Sequence, residues 1–423
     1  MTEPLYTNAM LRKMTDDELT KLVSRYMDEA DNTMVAISDS DEVLHDIMIA
    51  SQNKRHKKYV TEVIGEDLIS ALDDPNSRLN RSIKHVQLLL LTDSFRVPDH
   101  KVFTIRDISD TKDRRIIKPN FAYEQIIHHA IIRMILPKLQ KGMYEYTCAS
   151  IPNRGIHYVV RHIKKILSND PKNTKYILKM DIRKFFDSIP HRILKKRLKR
   201  VIKDKTLRTL LFRVIDSTDK GLPLGFYTSQ WLANFYLQDL DHYIKERILD
   251  DCGCNTERTG RHGAPYYFRY MDDMVIFGPN KKELHKMRKR ISEYLEDEFG
   301  LRLKYDWQVF RFDYVDKKSD KRKGRPLDYV GYQFYRDKTT VRKRTFKKIK
   351  KLIKHLVKIG INEVTFHDAA AMLSYYGILT WSNSMGIYTN MLKPYITLKE
   401  LKDIVRKEMK RRKSVLDSSS SDD

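Results

Sequence analysis

The stretch that most constrains this chain is residues 266–277, Tyr266-Tyr267-Phe268-Arg269-Tyr270-Met271-Asp272-Asp273-Met274-Val275-Ile276-Phe277. Two runs of aromatic and β-branched residues flank a Met-Asp-Asp tip, a pattern that predicts a tight β-hairpin. Adjacent carboxylates are unfavourable there, because apolar strands desolvate them and they repel each other. Two divalent cations would neutralise that charge, and two-metal phosphoryl transfer uses such a cluster. Asp is also a common turn residue, so the pair taken alone reads more simply as an exposed turn. The rest of the chain has to decide between the two.

Charge narrows the choice. Lys and Arg number 81 against 56 acidic residues, a formal charge of +25. A surplus that large suits a polyanionic partner, most simply nucleic acid, and exceeds what solubility requires. At 423 residues the chain is long enough for two or three domains or subdomains. No apolar run approaches a membrane span and the first residues lack a signal-peptide layout, so a cytoplasmic location with no membrane contact is expected. Cys148, Cys252 and Cys254 offer no disulfide framework and fit a reducing compartment. Cys252 and Cys254 lie near His262, but their spacing is not that of a structural zinc site.

Along the chain, residues 1–100 read as a mainly helical extension, with Thr15-Asp16-Asp17-Glu18 as a capping box. Lys54-Arg55-His56-Lys57-Lys58 is a basic knot, either a phosphate contact or a solvated face. Residues 103–107 and 114–119 alternate as the strands of a hairpin whose tip carries Lys112, Arg114, Arg115 and Lys118. These cations suit a triphosphate, or they guard an exposed edge. A helix is expected over 123–139, where His128 and His129 suit packing better than metal ligation. Basic helices follow at 156–167 and 191–203, around a strand at 176–182 that carries Asp181. Gly221-Leu222-Pro223-Leu224-Gly225 is a loop feeding a helix from 228 to about 248. An amphipathic helix is expected over 281–299, a second hairpin region over 301–335, and a Lys-rich helical region from 339 to 413. Residues 414–423 read as a disordered tail.

Asp181 ends one apolar strand and Asp272 and Asp273 tip a hairpin 91 residues further on. Two strands of one sheet delivering carboxylates at the same end would make a two-Mg²⁺ site, since Mg²⁺ takes oxygen ligands and keeps positions for substrate phosphates. In this order the chain resembles a reverse transcriptase. Residues 176–189, 221–236 and 270–273 look like the three palm motifs, and Leu327-Asp328-Tyr329-Val330-Gly331-Tyr332 resembles the primer-grip turn. Tyr375-Tyr376-Gly377 with Trp381-Ser382-Asn383 resembles a thumb signature of bacterial members. Leu-Pro-Leu-Gly followed by Thr228-Ser229-Gln230 is closer to diversity-generating retroelement enzymes and to the unknown-group bacterial enzymes, many of them associated with phage defence.

The resemblance implies an α+β right-hand polymerase: fingers and palm over 101–338 with an antiparallel palm sheet, and a basic helical thumb over 339–413. Asp181, Asp272 and Asp273 match the catalytic carboxylates, with Ile182 adding a backbone carbonyl to the metal shell. Phe186 matches the steric gate against a ribose 2′-hydroxyl; a plain core Phe is the other reading. Lys112, Arg114 and Arg115 fall in the triphosphate-contacting fingertip. Leu224 stands where retroviral enzymes carry a sugar-contacting glutamine, Gln230 follows in the second motif, and Lys304 resembles a lysine that aids pyrophosphate departure. Tyr329 and Gly331 fall in the primer grip. The implied activity is RNA-directed DNA polymerisation from deoxynucleoside triphosphates with two Mg²⁺ ions. The expected template is a structured non-coding RNA, the product cDNA, and the role antiphage defence. Diversity generation by error-prone copying of a repeat is the alternative, ahead of an RNA-binding scaffold or an RNA-dependent RNA polymerase.

Overall fold

A computed structural model describes residues 5–51, 71, 73–74, 76–100, 102–106, 113–117, 119, 124–254 and 260–418. The basic knot at 54–58, Lys112 and Lys118 lie outside them, as do the side chains of Arg114 and Arg115. The chain folds as two compact units, each assembled from three separated segments.

The first unit comprises Met1–Ser150, Asp181–Arg247 and Lys289–Asp306. Its helix Asp16–Glu29 starts at the expected capping box: Glu18 N–H donates to the Thr15 hydroxyl and Thr15 N–H to the Glu18 carboxylate. The helix Arg78–Leu91 buries Leu79, Ile83, Val86 and Leu90, at helical spacing, and Ile126–Gln140 buries Ile127, Ala130, Ile131 and Ile135. Each Leu, Ile or Val so buried contributes about 1.5–3 kcal/mol. His128 and His129 are packing residues, their rings 4.6 Å from Phe226 and 3.8 Å from Tyr227. Burial pushes the His128 imidazole down to about 3.

Strands β1 (Val102–Arg106) and β2 (Asp113–Ile117) pair antiparallel, Val102 opposite Ile117 and Arg106 opposite Asp113. The base of this hairpin is docked on the Gly-Pro loop, where Ile117 N–H donates to the Leu224 carbonyl at 2.8 Å. Gly225, at φ +118°, makes that approach possible, since a Cβ there would stand 2.0 Å from the Ile117 oxygen. The single helix expected from 228 to about 248 is instead Tyr227–Tyr236, Gln238–Glu246 and Ile248–Asp251. Tertiary bonds set the break: Gln238 donates to the Leu139 carbonyl, and Thr147, in the short β3 (Thr147–Cys148), donates to Asp241.

The second unit comprises Ile151–Met180, Ile248–Arg288 and Trp307–Asp423. Strands β4 (Tyr176–Asp181), β5 (Tyr266–Tyr270), β6 (Asp273–Gly278) and β7 (Gln308–Arg311) lie in the order β5-β6-β4-β7. Met274, Val275, Ile276 and Phe277 are all fully buried, so β6 is covered on both faces. The expected second hairpin region over 301–335 is more divided. Strand β7 leaves it to pair with β4, Tyr176 opposite Arg311. Two short strands, β8 (Tyr314–Val315) and β9 (Arg322–Lys323), pair with each other. Beyond them β10 (Leu327–Tyr329), β11 (Tyr332–Phe334) and β12 (Thr339–Val341) form an antiparallel sheet.

The β-branched run Thr339-Thr340-Val341 therefore extends the strands before the basic helix Lys343–Ile359 begins. That helix seats Ile349, Ile353 and Leu356 and turns Lys343, Lys347, Lys350 and Lys351 to solvent. The 381–383 motif braces β12: Asn383 N–H donates to the Thr339 carbonyl, and Thr339 N–H donates to the Asn383 side chain. Trp381 stacks on His157 at 4.4 Å. The last helix is Leu398–Ser418, reaching past the expected end at Lys413. Helices and a mainly antiparallel set of strands make the chain α+β. Among the described residues, no helix is long and apolar enough to cross a membrane.

Candidate active site

The hairpin forms at the expected place. Tyr270 pairs with Asp273, leaving Met271 and Asp272 as a two-residue connection. Met271 sits at φ +54°, a left-handed conformation that costs a side-chain-bearing residue roughly 1–2 kcal/mol. Arg269, fully buried, holds that tip by donating to the Met271 carbonyl at 3.0 Å. Asp273 opens β6, with its Oδ2 3.7 Å from the Lys179 ammonium. Lys179 also donates to the Asp328 carbonyl at 2.8 Å and lies 5.8 Å from the centre of the Tyr329 ring.

Tyr329, expected in the primer-grip turn, points its side chain inward. Its ring is fully buried and its hydroxyl donates to the Asp273 carbonyl at 2.9 Å, so the side chain holds the hairpin in place. The turn beyond it, Val330 at φ +43° and Gly331 at φ +90°, is only half-buried. A β-branched residue in that region is a genuine outlier, of the kind that persists only where its surroundings impose it.

Asp181 is the last residue of β4 and the first of its segment in the first unit. Its carbonyl accepts from Lys304 N–H at 2.8 Å, and its Oδ2 accepts from the Lys304 ammonium at 2.5 Å. Its Oδ1 is buried with no hydrogen-bond partner among the described residues. Ile182, fully buried, bridges to Leu303, and Arg183 N–H donates to the Arg302 carbonyl.

The gate candidate sits on the same framework. Phe185 is 2% exposed and belongs to the core, whereas the adjoining Phe186 is half-buried and meets it edge-on at 5.5 Å. The Phe186 carbonyl accepts from Leu222 N–H at 2.8 Å. Gly221, at φ +74°, permits this contact, since a Cβ there would lie 2.5 Å from the Phe186 oxygen. Phe186, the 221–225 loop with Leu224, and the root of β2 are thus bonded together within the first unit. Gln230 is exposed on the helix that follows, beside the buried Thr228 and Ser229.

Would this donor set hold a metal? Carboxylate oxygens are what Mg²⁺ and related hard cations select, and the buried, unpartnered Oδ1 of Asp181 retains its lone pairs. Among the described residues no three His, Cys, Asp or Glu side chains cluster as a complete cage. Mg²⁺ itself is commonly held by one or two carboxylates, with the remaining positions left to water and substrate phosphates.

Lys179 and Arg269 were not singled out from the sequence. Each has a visible signal, a cation in the interior of an otherwise apolar strand close to an aspartate.

The family model for "Reverse transcriptase (RNA-dependent DNA polymerase)" matches residues 97–334. The chain is 24% identical to Protein YkfC of Escherichia coli K12 over 267 residues, covering 56% of this chain and 70% of that one. It is 26% identical to the Retron Ec73 reverse transcriptase of Escherichia coli over 192 residues, 43% of this chain and 55% of that one. A structure of Candida tropicalis telomerase in complex with a fragment of telomeric RNA is similar at a TM-score of 0.43 and 14% identity, covering 73% of this chain and 57% of that one. The chain thus spans little more than half the length of the retron enzyme and of the telomerase. With more than half of its own length matched by the family model, the chain belongs to the reverse transcriptases, the RNA-dependent DNA polymerases.

Proposed function

We propose that this chain copies an RNA template into DNA, with Asp181, Asp272 and Asp273 holding two Mg²⁺ ions. The observation that carries the reading is that Asp181 closes one apolar strand and Asp273 opens another, and each carboxylate has a lysine beside it within its own unit. In the reaction a primer 3′-oxygen bonds to the α-phosphorus of a deoxynucleoside triphosphate. The bond from that phosphorus to the bridging oxygen breaks, pyrophosphate leaves with the electron pair, and the hydroxyl proton passes to solvent. Bound divalent ions lower the pKa of the attacking hydroxyl and neutralise the phosphate charge.

The chain's own residues do the positioning. Arg269 and Tyr329 hold the hairpin tip, Lys304 balances the Asp181 charge, and the Gly221–Leu222 contact fixes the Phe186 backbone so that its ring can exclude a 2′-hydroxyl. Template-dependent incorporation of deoxynucleotides by the purified protein, lost on adding a chelator, tests this. Preference for ribonucleotides would make the chain an RNA polymerase, and no incorporation of either would make it a scaffold.

For the template we infer a structured non-coding RNA, and for the role antiphage defence, on the resemblance of residues 222–225 and 228–230 to enzymes of that kind. Sequencing the nucleic acid that copurifies tests both. A non-coding RNA with its complementary DNA supports defence, whereas a repeat paired with a variable gene moves the reading to diversification.

A further inference from the structure

A cavity of about 390 Å³ in the first unit is lined by Arg183, Lys184, Ser188, Lys220, Gly300 and Arg302. Four of the six are cations, and no carboxylate among the described residues lines it. Arg183, Lys184 and Lys220 make no ion pair among the described residues, and Arg302 pairs only on the surface, with Glu296 at 2.8 Å. Such an exposed pair is weak and yields readily to a stronger anion.

The cavity is a built feature. Its walls are the 183–188 and 300–302 segments, tied by Arg183 N–H to the Arg302 carbonyl, and the 220–221 loop, tied to Phe186 through Leu222. Lys184 is held in the left-handed region at φ +45°, a conformation kept only where its surroundings demand it. The Ser188 hydroxyl donates to the Arg183 carbonyl at 3.3 Å.

Its place relative to Asp181 is set by one ladder. The Ile182–Leu303 bridge is flanked by Asp181 opposite Lys304 on one side and Arg183 opposite Arg302 on the other. Ile182 and Leu303 are buried, so alternation puts Asp181, Lys304, Arg183 and Arg302 on the other face. Two residues along a strand is roughly 7 Å, so the cations lining the cavity begin one strand step beyond Asp181.

We propose that this cavity is a polyphosphate site that receives the pyrophosphate released at Asp181. Cations converging on one small volume match an anion that carries three or four charges on two adjacent phosphoryl groups. A nucleic-acid backbone spreads one charge per nucleotide and calls for a stripe of cations. The proposal rests on the polymerase reading, because pyrophosphate is that reaction's product.

Calorimetric titration of inorganic pyrophosphate into the full chain, in a chelator, tests the cavity without the chemistry. Arg183→Gln/Lys220→Gln/Arg302→Gln should weaken binding on the order of tenfold, with single-stranded oligonucleotide affinity unchanged. The same variant should need correspondingly more pyrophosphate to inhibit DNA synthesis. Equal pyrophosphate affinity in a triple variant that melts like the wild type overturns the proposal, as does a loss of oligonucleotide affinity alone. Lys220→Gln keeps the test open if the triple variant fails to fold: about a threefold loss is expected, and none overturns it. Cavity-dependent pyrophosphate binding by a protein that makes no DNA would sink the polymerase reading and leave the anion site standing.

Discussion

Two carboxylate–lysine pairs of nearly equal exposure behave differently. Asp181 and Lys304 are 31% and 30% exposed and stand 2.5 Å apart; Asp273 and Lys179 are 29% and 28% exposed and stand 3.7 Å apart. At such exposure the ion pair itself is worth about 0–1 kcal/mol, so the difference lies in what else each lysine does. Lys179 also donates to the Asp328 carbonyl and lies near the Tyr329 ring, while Tyr329 donates to the Asp273 carbonyl. It is a strut between the hairpin and the β10–β11 turn. Lys304 adds its charge directly to a carboxylate that also keeps a buried, unbonded oxygen, so its ammonium stands where a metal ion would compete. One lysine builds the site and the other balances it.

The largest effect expected is at neither lysine but at the hairpin tip. Asp272→Asn should lower DNA synthesis by at least about 10³-fold, because it removes a full charge from a site that must neutralise two cations. The metal-free melting temperature should stay level or rise slightly, since one carboxylate repulsion is gone. A wild-type rate in this variant would detach the hairpin from the chemistry altogether.

Next come the lysines. Lys304→Ala should slow synthesis roughly 10–100-fold and lower the Mg²⁺ concentration needed for half-maximal rate, with little change in urea stability. Lys179→Ala should cost about 1 kcal/mol of urea stability by leaving the Asp328 carbonyl unbonded, and slow synthesis less. The reverse pattern, with Lys304 stabilising and Lys179 tuning the metal, would break the comparison.

The hairpin was readable because its causes are local. Two apolar strands and a two-residue tip lie within 266–277, and the structure pairs Tyr270 with Asp273 around that tip. The helix Lys281–Phe299 was readable for the same reason, its apolar positions recurring at helical spacing. What could not be read depends on partners far along the chain. Lys179 meets Asp328 across 149 residues and Lys304 meets Asp181 across 123. The break at Leu237 follows from a bond between Gln238 and Leu139, 99 residues away. Tyr329 illustrates the limit: its position beside a turn was legible, but whether its ring faced substrate or core was decided by the distant Asp273.

Phe185 and Phe186 carry the comparison of building and acting residues onto adjacent positions. Phe185 is core, so Phe185→Ala should destabilise by roughly 3–5 kcal/mol. Phe186 is half-buried, and Phe186→Ala should lower the ratio of deoxynucleotide to ribonucleotide incorporation about tenfold, with a smaller change in deoxynucleotide use alone. An unchanged ratio would return Phe186 to the core and place the gate elsewhere.

The smallest effect per residue is expected where cations make no ion pair among the described residues. The helix Lys343–Ile359 buries Ile349, Ile353 and Leu356 and leaves Lys343, Lys347, Lys350 and Lys351 exposed on the remaining surface. Where Lys304 balances a charge within its own unit, these four have theirs to give to phosphate. Contacts of that kind release counterions, so RNA affinity should fall with salt by a log–log slope of about −0.7 per neutralised phosphate on a single strand. Changing all four to Gln should make the slope shallower by roughly two to three and weaken binding without regard to sequence. A solvated helix whose charges touch nothing predicts the same slope before and after. Titrating RNA binding against salt for the two proteins decides between them, since identical slopes would take this helix off the binding surface.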